Sequence, residues 1–240
     1  MKKYILTAIF LISILPGYGT TENLNSLLKK LNQTIKEKEM YEEIREQRIL
    51  ELKHMLNTPQ ISIEQVYEIN RQLFEEYRVY ICDSANYYAE KNLEIAKNQN
   101  NKEWIFYSEQ RLINILTITG MYIDAFELLN AINVETLNNN EKIHYYNNYK
   151  EICDYYSHNN VYWEKYKLKG NAYRDSLLSL LNPETSHYKI VYSEKLFDEG
   201  NLDLSKQILF DMLEKSTADD HDYAMITHSI AKIYQKENNT

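Results

Sequence analysis

Residues 112–125 read Leu112-Ile113-Asn114-Ile115-Leu116-Thr117-Ile118-Thr119-Gly120-Met121-Tyr122-Ile123-Asp124-Ala125. Eighty residues later the chain reads Tyr192-Ser193-Glu194-Lys195-Leu196-Phe197-Asp198-Glu199-Gly200-Asn201-Leu202-Asp203-Leu204-Ser205. In both stretches an apolar stripe runs up to a glycine, and a small residue follows five positions later. The pattern extends in both directions. Turn candidates fall near Tyr80/Ile81, at Gly120, Asn160, Gly200 and Asn238, 38 to 40 residues apart. Seven or eight residues before each turn stand Leu73/Phe74, Leu112/Ile113, Ile152/Cys153, Tyr192/Ser193 and Ile230/Ala231. Four residues before each stands a large side chain: Tyr77, Leu116, Tyr156, Leu196 and Tyr234. Three turns are followed by a small residue, Ala85, Ala125 or Ser205, where a second helix must cross the first closely.

This grammar predicts an all-α fold, a tetratricopeptide-like solenoid of helical hairpins with about 38–40 residues per repeat. A hairpin cannot bury its apolar face alone, so stacking on neighbours supplies the missing partner. Composition agrees. The chain has 5 Gly and 3 Pro in 240 residues, and Gly17, Gly19 and Pro16 belong to the N-terminal apolar stretch. Average usage would give about 15 glycines. So few turn formers exclude β-sandwiches, barrels and glycine-rich phosphate loops.

Before the repeats, Leu24, Leu27, Leu28, Leu31 and Ile35 follow helical spacing, as do Tyr41, Ile44, Arg48/Ile49, Leu52, Met55 and Leu56. Asn57-Thr58-Pro59 ends the second stripe, so residues 20–58 are expected to form an N-terminal helical hairpin and 59–240 the repeats. Ser62-Ile63-Glu64-Gln65 reads as a capping box. Asn101, Asn140 and Asn182 are expected N-caps, with Pro183 in a first helical position and Asp219 capping the last helix. Gly170 falls inside a predicted helix, at a cost of about 1 kcal/mol relative to alanine unless close packing needs it. The stripe from Tyr223 to Lys236 has the features of a first helix, with residues 237–240 as its turn. The repeat reading therefore has the sequence ending mid-repeat, as a truncated gene or an excised fragment would.

Met1-Lys2-Lys3, the apolar run Tyr4–Leu15 and Pro16-Gly17-Tyr18-Gly19 have the form of a signal peptide over residues 1–19, cleaved after Gly19. The apolar run is too short to span a bilayer comfortably, and no later stretch is apolar enough. An exported, periplasmic product is expected. Cleavage would remove two lysines and no acid, taking the formal charge from −8 to −10. An acidic chain without a dense basic stripe repels phosphate backbones, so no direct nucleic-acid binding is expected. Cys82 and Cys153 fall in non-adjacent repeats and read as buried small residues rather than a disulfide.

No catalytic motif, cofactor-binding motif or metal-binding motif is found. Glu51-x-x-His54, Glu141-x-x-His144 and Glu184-x-x-His187 have the spacing of di-metal helical bundles. A solenoid does not bring such pairs from separate units face to face, and glutamate is favoured in first helical turns anyway. Successive residues of Asp219-Asp220-His221-Asp222 point about 100° apart on a helix and cannot converge on one ion. A metal-dependent helical enzyme is the least favoured reading, and the chain is expected not to be an enzyme. The 22 tyrosines are densest between His144 and Tyr173. Tyr145, Tyr149 and Tyr156 share the stripe of Ile152 and Cys153 and read as core. Tyr146 and Tyr162, with Trp163 and Tyr166 nearby, are the candidate interaction groove, since tyrosine pairs a flat apolar body with a hydroxyl.

The leucine hairpin, then Tyr41-Glu42-Glu43-Ile44-Arg45-Glu46-Gln47-Arg48-Ile49-Leu50-Glu51-Leu52-Lys53, then Tyr67-Glu68-Ile69-Asn70, Leu73-Phe74-Glu75-Glu76-Tyr77 and Asp83-Ser84-Ala85 carry a resemblance. The chain resembles the N-terminal half of a bacterial family of exported tetratricopeptide-repeat regulator proteins with an uncharacterised domain. The resemblance implies a periplasmic sensor half, a transmembrane helix and a cytoplasmic helix-turn-helix part that regulates transcription. Neither of the last two is present in these residues, so membrane contact is expected only through a downstream segment. The leading expectation is thus a non-catalytic module that binds a protein or peptide. The alternative is a glycan-binding helical protein of the SusD-like kind.

Overall fold

The computed structural model describes residues 29, 32–33, 35–158, 161–217 and 221–238. The proposed signal peptide, most of the first leucine stripe, Asn160 and Asp219 lie outside them. Ten α-helices follow one another, with no strand among the described residues: α1 Lys38–Leu56, α2 Ile63–Tyr77, α3 Cys82–Asn98, α4 Lys102–Ile118, α5 Tyr122–Ala131, α6 Asn139–Ser157, α7 Trp163–Leu180, α8 Ser186–Asp198, α9 Leu202–Leu213 and α10 His221–Asn238. The described residues up to Glu51 fall in one unit and those from Leu52 in a second. In α1, Ile49 is buried while Tyr41, Ile44 and Met55 are exposed, so little of the stripe expected there is covered.

The second unit is the solenoid. Each helix from α2 to α10 packs on the next, and α4 also touches α6, as α8 touches α10. That pattern of neighbour and next-but-one contacts is what stacked hairpins give. The inner faces are those expected: Leu73, Ile113, Ile152 and Cys153 are wholly buried. Burying a side chain such as Ile113 contributes about 1.5–3 kcal/mol. Ala85, Ala125 and Ser205 are buried at the start of α3, α5 and α9, where a larger side chain would push the paired helices apart. The third hairpin solves the crossing differently. Tyr166 stands near the start of α7, and the close approach comes one turn later at Gly170, where an added Cβ would lie 3.1 Å from Cys153 Cβ.

Local chemistry fixes the helix ends. Gly120 and Gly200 adopt φ of +83° and +82°. In each case the glycine N–H and the one after it reach back to close the turn: Gly120 to the Thr117 carbonyl and Met121 to that of Leu116, Gly200 to Phe197 and Asn201 to Leu196. This is the Schellman arrangement, which needs a left-handed residue. After α3 the same pair of bonds forms around Asn100, with φ of +50°: its N–H donates to the Lys97 carbonyl and that of Asn101 to the Ala96 carbonyl. The Ser62–Gln65 capping box forms as expected, and Asn101 accepts from the Trp104 N–H.

Two expected caps are corrected. Asn138 rather than Asn140 caps α6, because Glu141 stands three residues on and closes a reciprocal box, whereas Ile143 follows Asn140 at that distance. Thr185 rather than Asn182 caps α8, accepting from the Tyr188 N–H, while Asn182 closes the turn before it and accepts from the Glu184 N–H. Tyr234, expected on the inner face, is 46% exposed: Ile226, Ile230 and Ile233 turn inward, and Tyr234 lies under the Lys206 ammonium. Cys153 is buried as expected, but Cys82 is only half-buried at the first residue of α3. Both thiols are free.

Polar bonds join successive hairpins. Tyr67 and Ser108 share a hydrogen bond across α2 and α4, and Asn148 on α6 donates to the Gln110 carbonyl and side chain on α4. Within the first of these hairpins, Asn92 on α3 donates to the Tyr67 carbonyl on α2 at 2.9 Å.

Candidate functional site

The residues of the expected groove divide between core and surface. Tyr146 is half-buried beside Tyr145 and Tyr173, and Tyr166 packs against Phe126 and Tyr156. These rings belong to an aromatic cluster in which Tyr149 and Tyr173 stack at 4.2 Å. The Lys169 ammonium sits over three of its rings, Phe126, Tyr149 and Tyr173. Tyr162 stands at the N-cap position of α7 and is 66% exposed. Trp163, half exposed, turns toward a cleft.

That cleft, of about 1000 Å³, draws its walls from α6 to α10. The end of α6 gives Asp154 and His158. Trp163, Lys167 and Arg174 lie on one face of α7. Glu194, Phe197 and Asp198 come from α8, and Leu209 from α9. On α10, Met225, His228, Ser229, Lys232, Ile233 and Lys236 follow helical spacing and form a single stripe. Sequence reasoning missed all of these but Trp163. Their only local signal was the spacing along α10, which resembles an ordinary solvated face.

The charges of the lining are arranged asymmetrically. Its three carboxylates are each held by a buried cation. Lys150, on α6, lies 2.6 Å from Glu194 and 3.5 Å from Asp154. Burial opposes the Lys150 ammonium, but Glu194 and Asp154 outweigh it and hold its pKa above the ordinary lysine value. Burial pushes the Asp154 carboxyl up, with Lys150 opposing the rise. Arg174 donates to Asp198 at 2.7 Å and to Asn171 at 2.9 Å; its Nε–H is buried with no acceptor among the described residues. Lys167 and Lys232 are paired with no carboxylate among the described residues, and the Lys236 ammonium donates to the Phe197 carbonyl and lies over its ring. With Lys150 included, five cations face three carboxylates, a formal +2 in a chain of −8.

Metal chemistry finds no such assembly. Among the described residues, no group of three or more histidine, cysteine or acidic side chains converges. Glu141 is engaged in its capping box, and His144 meets the Tyr107 ring edge-on at 5.3 Å. Burial holds the pKa values of His144 and His187 below the usual histidine value. A second groove, of about 740 Å³, lies between α8, α9 and α10 and is flanked by the stacked rings of Tyr188 and Tyr192. No helix among the described residues is long and apolar enough to cross a membrane.

No curated protein and no solved structure gives a significant match to the chain. The family model of the SusR N-terminal tetratricopeptide-repeat (TPR) domain matches residues 35–240, the whole of the hairpin array described above. With its stacked hairpins and that match across most of its length, the chain belongs to the SusR N-terminal TPR domain family.

Proposed function

We propose that this chain is the exported, non-catalytic sensor half of a membrane-anchored transcriptional regulator, and that it binds a protein or peptide in the cleft beside Trp163. The observation that carries the reading is the origin of the cleft walls in five successive helices. A ligand seated there touches several hairpins at once, and so biases how they stack; a ligand can shift such an equilibrium only by binding one arrangement better than another. Repeat solenoids present extended surfaces of this sort to their partners. The family supports a helical interaction module, and the acidic chain argues against direct contact with nucleic acid.

The test is to fractionate the source cell's envelope and detect the native product with an antibody against these residues. The expected result is an inner-membrane protein well above 28.7 kDa. A cytosolic product overturns export, and a soluble periplasmic product of this mass overturns the anchored regulator.

One observation favours a second reading, the glycan-binding helical protein. The stacked Tyr188 and Tyr192 offer a flat platform in the smaller groove, a surface suited to sugar rings. Glycan affinity abolished by Tyr192→Ala would support it, and unchanged affinity would remove it.

A further inference from the structure

We infer that the cleft recognises an acidic peptide, one that carries carboxylates between apolar side chains. This rests on the reading of the cleft as a ligand site and names what it takes.

The first argument is electrostatic. The cleft's three carboxylates are held from within by Lys150 and Arg174, and Lys167, Lys232 and Lys236 bring the whole lining to a formal +2, with Lys167 and Lys232 paired to no carboxylate among the described residues. A positive recess in a chain of −8 attracts an anion and fixes its register, while the rest of the surface repels it. The second argument is hydrogen-bond supply. A neutral sugar presents hydroxyl donors that need acceptors, and here the strongest acceptors, Asp154, Glu194 and Asp198, are already engaged. A peptide carboxylate and its main-chain carbonyls are acceptors and match the donors on offer. Arg174 adds to the supply. Asp198 takes one terminal nitrogen of its guanidinium and Asn171 the other, while the Nε–H has no acceptor among the described residues, which leaves one donor of the cleft wall unmatched. The third argument is the apolar wall. Trp163, Phe197 and Met225 flank the cations, which gives side chains between the carboxylates a place to leave water.

The two tryptophans make this measurable. Trp104 stacks on Tyr67 outside the cleft, so the full chain carrying Trp104→Phe reports on Trp163 alone. The probe is a short synthetic peptide alternating glutamate with leucine, compared with the same peptide carrying glutamine for glutamate. The expected result is saturable quenching by the glutamate peptide, weakened by added salt. The double substitution Lys167→Glu and Lys232→Glu is expected to weaken it by at least about tenfold with an unchanged melting curve. Equal binding of the glutamine peptide, or full binding by the double variant, overturns the proposal. Quenching by a neutral or uronic-acid oligosaccharide but not by the peptide also overturns it, while leaving the cleft as a ligand site. If no probe perturbs Trp163, the peptide proposal and the ligand-site reading fall together.

Discussion

Alanine in place of Gly170 gains helix propensity and loses space, and the geometry decides the balance. The gain is about 1 kcal/mol for leaving glycine in a helix interior. Against it, the new Cβ would stand 3.1 Å from Cys153 Cβ and 3.2 Å from Asp154 Oδ1. The Asp154 carboxylate can swing aside, at some loss of its contact with Lys150. Cys153 Cβ cannot, because it is fixed to the backbone of α6 in a wholly buried position. Relief therefore needs α6 and α7 to move apart along the third hairpin, and overpacking of this kind costs about 1–3 kcal/mol. The expected net effect is a loss of up to about 2 kcal/mol, or a fall in Tm of up to roughly 8 °C for a chain of this size. Urea unfolding followed by far-ultraviolet circular dichroism measures it. A double-mutant cycle with Cys153→Gly isolates the cause: that substitution removes the atom in conflict, so the two changes together should cost less than their sum by about 1 kcal/mol or more. If Gly170→Ala stabilises the protein by its full propensity gain, or if the cycle is additive, the close approach at Gly170 is not what positions α7.

Other expectations follow from the helix ends and the titratable groups. At Gly120 and Gly200 an added Cβ meets nothing within 4 Å, so alanine there should cost only the left-handed backbone term, about 1–2 kcal/mol each and additive in urea unfolding. Asn100→Gly, at the third such position, should instead raise stability by up to about 1 kcal/mol. Glu68 accepts two bonds from Arg71, which hold its carboxyl down at about 2. Because the folded pKa lies below the unfolded one, its contribution is present above the unfolded value of about 4.5 and fades as pH falls toward 2. Glu68→Gln should therefore cost less than about 1 kcal/mol at neutral pH, the pair being partly exposed, and progressively less as pH falls from about 4.5 through about 2 in a pH series of unfolding curves. Burial pushes the Cys153 thiol up to about 12, so in the native protein a thiol reagent should label Cys82 and leave Cys153 untouched until unfolding.

Much of the fold was legible because it is written in short-range spacing. The glycines at 120 and 200 announce left-handed turns, and Ala85, Ala125 and Ser205 announce close crossings. The third hairpin escaped because Tyr166 stands where the others carry a small residue, and only coordinates show Gly170 taking over one turn later. Caps were ambiguous wherever several asparagines adjoined. In 138–140 the deciding signal, Glu141 three residues after Asn138, was present in the sequence. The cleft was much less legible. Glu194, Arg174 and Lys232 lie on three helices, and each is an unremarkable charged residue along its own. Their meeting depends on the angle at which one hairpin stacks on the next, set by side-chain packing that helical periodicity does not record. The tyrosines drew attention by number, yet most of that number went into the core.

The polar bonds between hairpins have a consequence for how such a chain can change over generations. Tyr67 reaches Ser108, Gln110 reaches Asn148, Asn114 reaches Glu151, and Lys236 reaches back to Phe197. Their separations along the chain are 41, 38, 37 and 39 residues, one period each. A genetic duplication or deletion of one whole period would thus preserve the distance between bonding partners on either side of the splice. A change of half a period would strand them. Length in this architecture is free to evolve in quanta of about forty residues.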